Sequence, residues 1–200
     1  LFGTLSRMSS RSITGFILLI RASLIGIRTR QPGESTTSPA PGSPEKPVSH
    51  YNLCMRPFDQ LDQAIQDLAA FMAGLPPERL EPSTRAEWGA REVFSHLVFW
   101  HVEYARLTAC LVRGEPPPLL TGSFKELNAR AVDQYRTASP KVMITDLQTA
   151  QAALREAYDR AQGTQIAFRQ GSMSRPYPVA IQLIERHIRS HMERMKTGRR

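Results

Sequence analysis

The stretch VFSHLVFWHVEYARLTACL, residues 93–111, decides how the chain folds. Its apolar positions Val93, Leu97, Trp100, Tyr104, Leu107 and Leu111 step by four and three, the spacing that lays one stripe along an α-helix. Gly114 and the run Pro116-Pro117-Pro118 stop that helix. Upstream, Phe58, Leu61, Ile65, Leu68, Met72 and Leu75 keep the same rhythm up to Gly74 and Pro76-Pro77. Downstream, Ser123-Phe-Lys-Glu126 has the S-x-x-E form of a capping box and opens a shorter helix through Leu127 and Val132 toward Tyr135. Ser139 offers an N-cap with Pro140 at the first helical position, and Ile144, Leu147, Gln151, Leu154, Tyr158 and Ala161 follow to a stop at Gly163. Residues 164–178 are mixed, with Ile166-Ala-Phe168 read as a short extended piece and Pro176 and Pro178 closing the loop. A last helix runs from about Val179 to Lys196 through Ile181, Ile184, Ile188 and Met195. Four long amphipathic helices without a convincing alternating strand predict an all-α, four-helix bundle. The short extra helix falls in the connection between the second and third long helices.

At 200 residues, with 41% hydrophobic and 22% charged, the chain can bury one sizeable core but not two. The formal net charge of +8 raises nucleic acid or an anionic membrane surface as partners, yet half of that excess falls in residues 1–54. There Arg7, Arg11, Arg21, Arg28, Arg30 and Lys46 face only Glu34 and Glu45, so the bundle itself is mildly basic. Residues 1–30 contain no acid, and the run from Ile13 to Ile27 is apolar except for Arg21, Ser and Thr. That run is short of a membrane span and interrupted by an arginine, so no integral span is expected. A targeting peptide fits better. The preferred reading is an unstructured or upstream translated leader, because the chain opens on Leu1 and Met55 immediately precedes the first clean helical pattern. The stretch Gln31–Ser49, with five prolines among Ser, Thr and Gly, reads as a disordered linker. The expected organisation is therefore a leader and linker over 1–54, a domain over 55–196 and a basic tail over 197–200. Cys54 and Cys110 are far apart and in no metal-type spacing, which excludes a disulfide scaffold and points to a reducing, cytoplasmic setting.

Four of the five histidines lie on two helices. His187 and His191 are four apart, so both imidazoles leave one face of the last helix a turn apart and can meet one ion. On the second helix His96 shares a face with Trp100 and Glu103, whereas His101 lies about 140° away and cannot easily join it. The sterically sensible trio is His96, His187 and His191, three nitrogens with one coordination position left for water or substrate. Glu103 is a weak candidate for catalysis, either as a general base or as a carboxylate orienting a ligand. Helix histidines near a core are also commonly satisfied by a carboxylate or carbonyl. The aromatics Phe99, Trp100 and Tyr104 are candidates for a pocket wall, with plain core packing as the competing explanation.

The stretch Trp88-Gly-Ala-Arg-Glu-Val-Phe-Ser-His96-Leu97-Val-Phe-Trp100-His101 resembles the signature of the DinB-like superfamily. The segments Leu111-Val-Arg-Gly114-Glu-Pro116 and Phe124-Lys-Glu-Leu127-Asn128 are similar to its ClbS/DfsB branch, and the resemblance spans about residues 55–196. It implies a four-helix bundle, and a divalent metal, Zn or Ni, held by His96, His187 and His191. It also implies hydrolysis, or transfer to a low-molecular-weight thiol, of a small reactive molecule, as in detoxification or resistance. The alternatives are a metal-free ClbS-like protective or binding protein and a helical module that forms a homodimer without catalysis. DNA binding through Arg186, Arg189, Arg194, Lys196, Arg199 and Arg200 is disfavoured, because Glu185 and Glu193 interrupt the basic face and no groove-reading motif accompanies it.

Overall fold

The computed structural model describes residues 56–83 and 87–197. The readings for the leader and linker, and for all but the first residue of the basic tail, fall outside the described residues. Among these residues the chain forms five α-helices: α1 (Pro57–Ala73), α2 (Ala90–Arg113), α3 (Phe124–Gln134), α4 (Pro140–Ala161) and α5 (Tyr177–Thr197). A 3₁₀ turn at Pro77–Leu80 follows α1. The chain is all-α in class, with α1, α2, α4 and α5 as the bundle and α3 as the extra helix between the second and third long ones.

The ends form where the local chemistry directs them. Pro57 starts α1, where a missing N–H costs nothing. Gly114 ends α2 in the left-handed region at φ 71°, and the N–H groups of Gly114 and Glu115 return to the carbonyls of Leu111 and Cys110. Ser123 and Glu126 cap α3 reciprocally, and Ser139 Oγ accepts the Val142 N–H at the start of α4.

Helix α2 is buried on nearly every side over Phe94–His101, more widely than a single stripe requires. It sits against α4 on one flank and α3 on the other, and an apolar residue is favoured wherever it faces a neighbour. Going round the bundle, α2 packs on α4, α4 on α1 and α1 on α5, while α5 and α2 touch only sparingly. That incomplete closure leaves room between α2, α3 and α5. On the far flank His101 donates from Nε2 to Gln151 Oε1 at 2.9 Å. Gln151 in turn donates to Asp62, so one buried polar chain joins α2, α4 and α1, and the exposed Arg155 pairs with Asp62 at its outer end.

Three boundaries differ from the sequence reading. Helix α5 begins at Tyr177 rather than Val179, because Pro178 sits in the first turn, where proline is tolerated, instead of closing the loop. The extended piece is Gln165–Ile166, paired antiparallel with Arg175–Pro176 in a minimal two-stranded ribbon that delivers the chain into α5. The buried step near the end of α5 is Met192, with Met195 only half-buried. Among the described residues no helix is long and apolar enough to cross a membrane.

Arg91, in the first turn of α2, donates to the carbonyls of Leu80, Tyr135, Arg136 and Ala138, and so holds the end of α3 and the following turn against α2. Arg91→Ala strands these acceptors and is expected to lower stability by about 2–3 kcal/mol. Urea unfolding measures the loss, and Arg91→Lys should restore only part of it, because an ammonium lacks the planar fork.

Candidate metal centre

The helical periods bring His96 from α2 against His187 and His191 from α5, and one nitrogen from each of the three lies within 4.8 Å of the others. His96 Nε2 is 2.9 Å from His187 Nε2, and the His187 and His191 ring centroids are 4.6 Å apart, as their one-turn separation dictates. His96 is buried, and His187 and His191 are half-buried. Trp88, just ahead of α2, places its ring 5.4 Å from that of His96.

The protonation of His96 follows from one neighbour. Asn128 on α3 presents Oδ1 3.0 Å from Trp100 Nε1 and 3.0 Å from His96 Nδ1. The indole nitrogen can only donate, so the amide atom facing it is the oxygen, and His96 must donate from Nδ1 as well. The lone pair of His96 is thereby left on Nε2, directed at α5. This is the outer-shell device that fixes ligand histidines in metal sites.

Electrostatics keep the trio neutral. Burial, reinforced by the facing imidazoles of His187 and His191, pushes His96 down to about 3, against the opposing effect of its bond to Asn128. Burial, His187 and Arg194 lower His191 to about 4, and burial with Arg194 lowers His187. Three uncharged imidazoles therefore converge near neutral pH, and an incoming cation displaces few protons.

Beside the trio lies a cavity of about 390 Å³ between α2, α3 and α5, of a size suited to a small molecule. Trp100, Tyr104, Phe124 and Phe168 form its walls, with Leu183 and Ile184 from α5, and His96, His187 and Asn128 stand at its polar end. Burial holds the Tyr104 phenol well above its ordinary range, so it stays uncharged.

Of the residues singled out in the sequence, the structure brings together His96, His187, His191, Trp100 and Tyr104. Phe99 is buried edge-on to Trp100 and is not among the lining residues. Glu103 is held by Arg106 at 2.7 Å, whose guanidinium also donates to the Pro118 carbonyl, and it does not line the cavity either. The sequence reading missed Asn128 as a site residue, although it stood in the quoted Phe124–Asn128 segment. It also missed Phe168, which comes from the loop before α5 and carries no periodic signal.

Over residues 61–186, well over half of the chain, the sequence matches the family model described as the mycothiol maleylpyruvate isomerase N-terminal domain. This family belongs to the DinB-like superfamily, so the superfamily resemblance holds, while the ClbS/DfsB branch gains no support. The match contains His96 and ends one residue before His187. A search of curated proteins found no match, and a search of solved structures found none.

Two outcomes follow from this geometry. Asn128→Leu removes the acceptor that orients His96 and should weaken zinc binding roughly 10- to 100-fold, whereas Asn128→Asp retains an acceptor and most of the affinity; a competition titration distinguishes them. The second concerns pH. His101, fully buried, is pushed down to about 4, as the trio is pushed down, while an unfolded histidine titrates near 6.5. Between these values the unfolded chain binds more protons, so the stability from neutral buried histidines is complete above about pH 6.5 and is lost as the pH falls toward 4. The urea midpoint of the metal-free protein should drop between pH 7 and pH 5, and an unchanged midpoint would contradict the burial of neutral imidazoles.

Proposed function

We propose, on the premise that the chain belongs to the family of mycothiol maleylpyruvate isomerase N-terminal domains, that residues 55–196 form a metal-dependent cytoplasmic enzyme domain. It joins a low-molecular-weight thiol to a small reactive molecule. The observation that carries this reading is the convergence of three neutral imidazole nitrogens within 4.8 Å at the polar end of an otherwise apolar cavity.

The donor set fits a borderline divalent ion. Zinc bonded to nitrogen at ~2.0–2.1 Å in a tetrahedral site brings ligand nitrogens to ~3.4 Å from one another. The trio brackets that separation, with one pair at 2.9 Å and no pair beyond 4.8 Å. His96, His187 and His191 would hold Zn or Ni and leave one position free. A bound ion supplies Lewis acidity there, favouring the thiolate over the thiol near neutral pH.

The chain's own residues divide the remaining work. Asn128 keeps the His96 lone pair on Nε2 and aimed at α5. Trp88 covers one side of His96, and the aromatic walls exclude water from the second reactant. The fate of Glu103 favours a thiol over water as nucleophile. Carboxylate-assisted hydrolysis calls for a general base near the attacking water. No carboxylate lines the cavity among the described residues, and Glu103 is occupied by Arg106. A thiol ordinarily ionises near ~8.5 against ~15.7 for water, so beside a bound ion it passes its proton to solvent far more readily than water does and needs no such base.

Elemental analysis of the full chain, purified without a histidine tag, tests the reading. The wild type is expected to carry near one equivalent of Zn or Ni and His187→Ala to lose it. Zinc-loaded wild type should speed conjugation of monochlorobimane to mycothiol, and the variant should stay at the uncatalysed rate. A folded wild type that takes up no metal would contradict the proposal and leave the metal-free, ClbS-like binding role.

A further inference from the structure

We propose that the Tyr104 hydroxyl is the donor by which this cavity recognises its ligand, so that the molecule received there presents an acceptor oxygen, as a carbonyl does, away from the histidine end. His96, Trp100 and Tyr104 follow at intervals of four on α2 and stand in one row, with Tyr104 about 12 Å along the helix axis from His96. Side chains on a helix lean toward its N-terminus, which brings the Tyr104 ring back onto Trp100, with centroids 6.1 Å apart and planes at 30°. Phe168 meets the same ring at 4.8 Å. The ring is thus held between two aromatic neighbours.

The hydroxyl, by contrast, is uncommitted. Tyrosine hydroxyls buried in proteins usually find a partner, as Tyr135 does in donating to Asp146 at 3.2 Å. Among the described residues none bonds the Tyr104 hydroxyl. Burial raises its phenol, so the oxygen sits deep among protein atoms and keeps its proton to donate. It is nevertheless not sealed in, unlike the unpartnered Nε of Arg169, and the open space that Tyr104 borders is the cavity. Trp100 Nε1 and His96 Nδ1 are both spent on Asn128. The walls Phe124, Phe168, Leu183 and Ile184 offer no polar side-chain atom. Packing alone would be served by Phe at position 104. A wholly apolar molecule filling the cavity would strand the hydroxyl, whereas an acceptor oxygen satisfies it. Neutral and anionic oxygens both accept such a bond, and a neutral pair of probes isolates it. Under the thiol-transfer reading the same bond orients the second reactant relative to the thiolate.

The test pairs 2-acetonaphthone with 2-isopropenylnaphthalene, in which a methylene replaces the carbonyl oxygen, by equilibrium dialysis of the full chain with chelator present. One ketone per chain should bind the wild type. Tyr104→Phe should weaken the ketone about five- to tenfold and change the alkene less than about twofold. Its urea midpoint should stay unchanged, because the lost hydroxyl bonds no protein group. Equal changes for both probes, no change for either, or no binding of the ketone would overturn the proposal. The carbonyl stretch of the bound ketone gives a second readout: it should lie below its value in cyclohexane in the wild type and return toward that value in Tyr104→Phe. An unshifted stretch in the wild type overturns the proposal whether or not the variant folds. Zinc uptake is read separately on the same preparation. A ketone effect without zinc binding would keep Tyr104 as the recognising donor while removing the thiol-transfer reading, and zinc binding without a ketone effect would do the reverse.

Discussion

A single carboxamide oxygen, Oδ1 of Asn128, accepts two hydrogen bonds from α2, one from His96 and one from Trp100. Because the indole can only donate, this contact removes the ambiguity of the Asn amide and of the His96 tautomer together. It also ties the short helix α3 to the middle of α2, where Arg91 ties its C-terminal end. The placement of the cavity depends on these ties. Helix α3 carries Phe124 and Asn128, one an aromatic wall and the other the support of a candidate ligand, and without the α3 anchors neither would face α2.

The bundle is asymmetric in a way that serves the site. The flank joining α2, α4 and α1 is closed by apolar packing and by the buried chain through His101, Gln151 and Asp62, with the exposed Arg155 pairing Asp62 from outside. The α2–α5 flank closes only partly, and the three histidines and the cavity occupy it. Both flanks bury histidines, with different outcomes. His101 donates to a glutamine within the core, so its ring serves packing. His96 donates backward to Asn128 and keeps its other nitrogen for the open flank. Two imidazoles five residues apart on one helix thus acquire opposite roles from what each faces.

Much of this was legible in the sequence because helix geometry is periodic. The steps of three and four located the long helices, and the one-turn spacing of His187 and His191 with the rotation separating His96 from His101 selected the trio. What failed was information that periodicity does not carry. Asn128 was visible in a quoted segment, but no spacing within α3 says that its side chain crosses to α2. Glu103 lies on the His96 face by rotation, yet Arg106, three residues on, captures it. Phe168 reaches the cavity from a loop, and the proline pair around Tyr177 reads equally as a loop closure or as a helix start. The family branch was read from the short segments Leu111–Pro116 and Phe124–Asn128, and the match over residues 61–186, which contains both, is to the mycothiol-type domain instead.

The account rests on His96, His187 and His191 acting together as one donor set with Asn128 behind them. Anomalous diffraction from crystals of the full chain grown with zinc addresses that claim directly. The account predicts one strong zinc peak bonded to one nitrogen of each of the three histidines, with His96 bonded through Nε2 and its Nδ1 still on the Asn128 oxygen. Zinc bound through His96 Nδ1, or a best-occupied site that omits any of the three histidines, would contradict it.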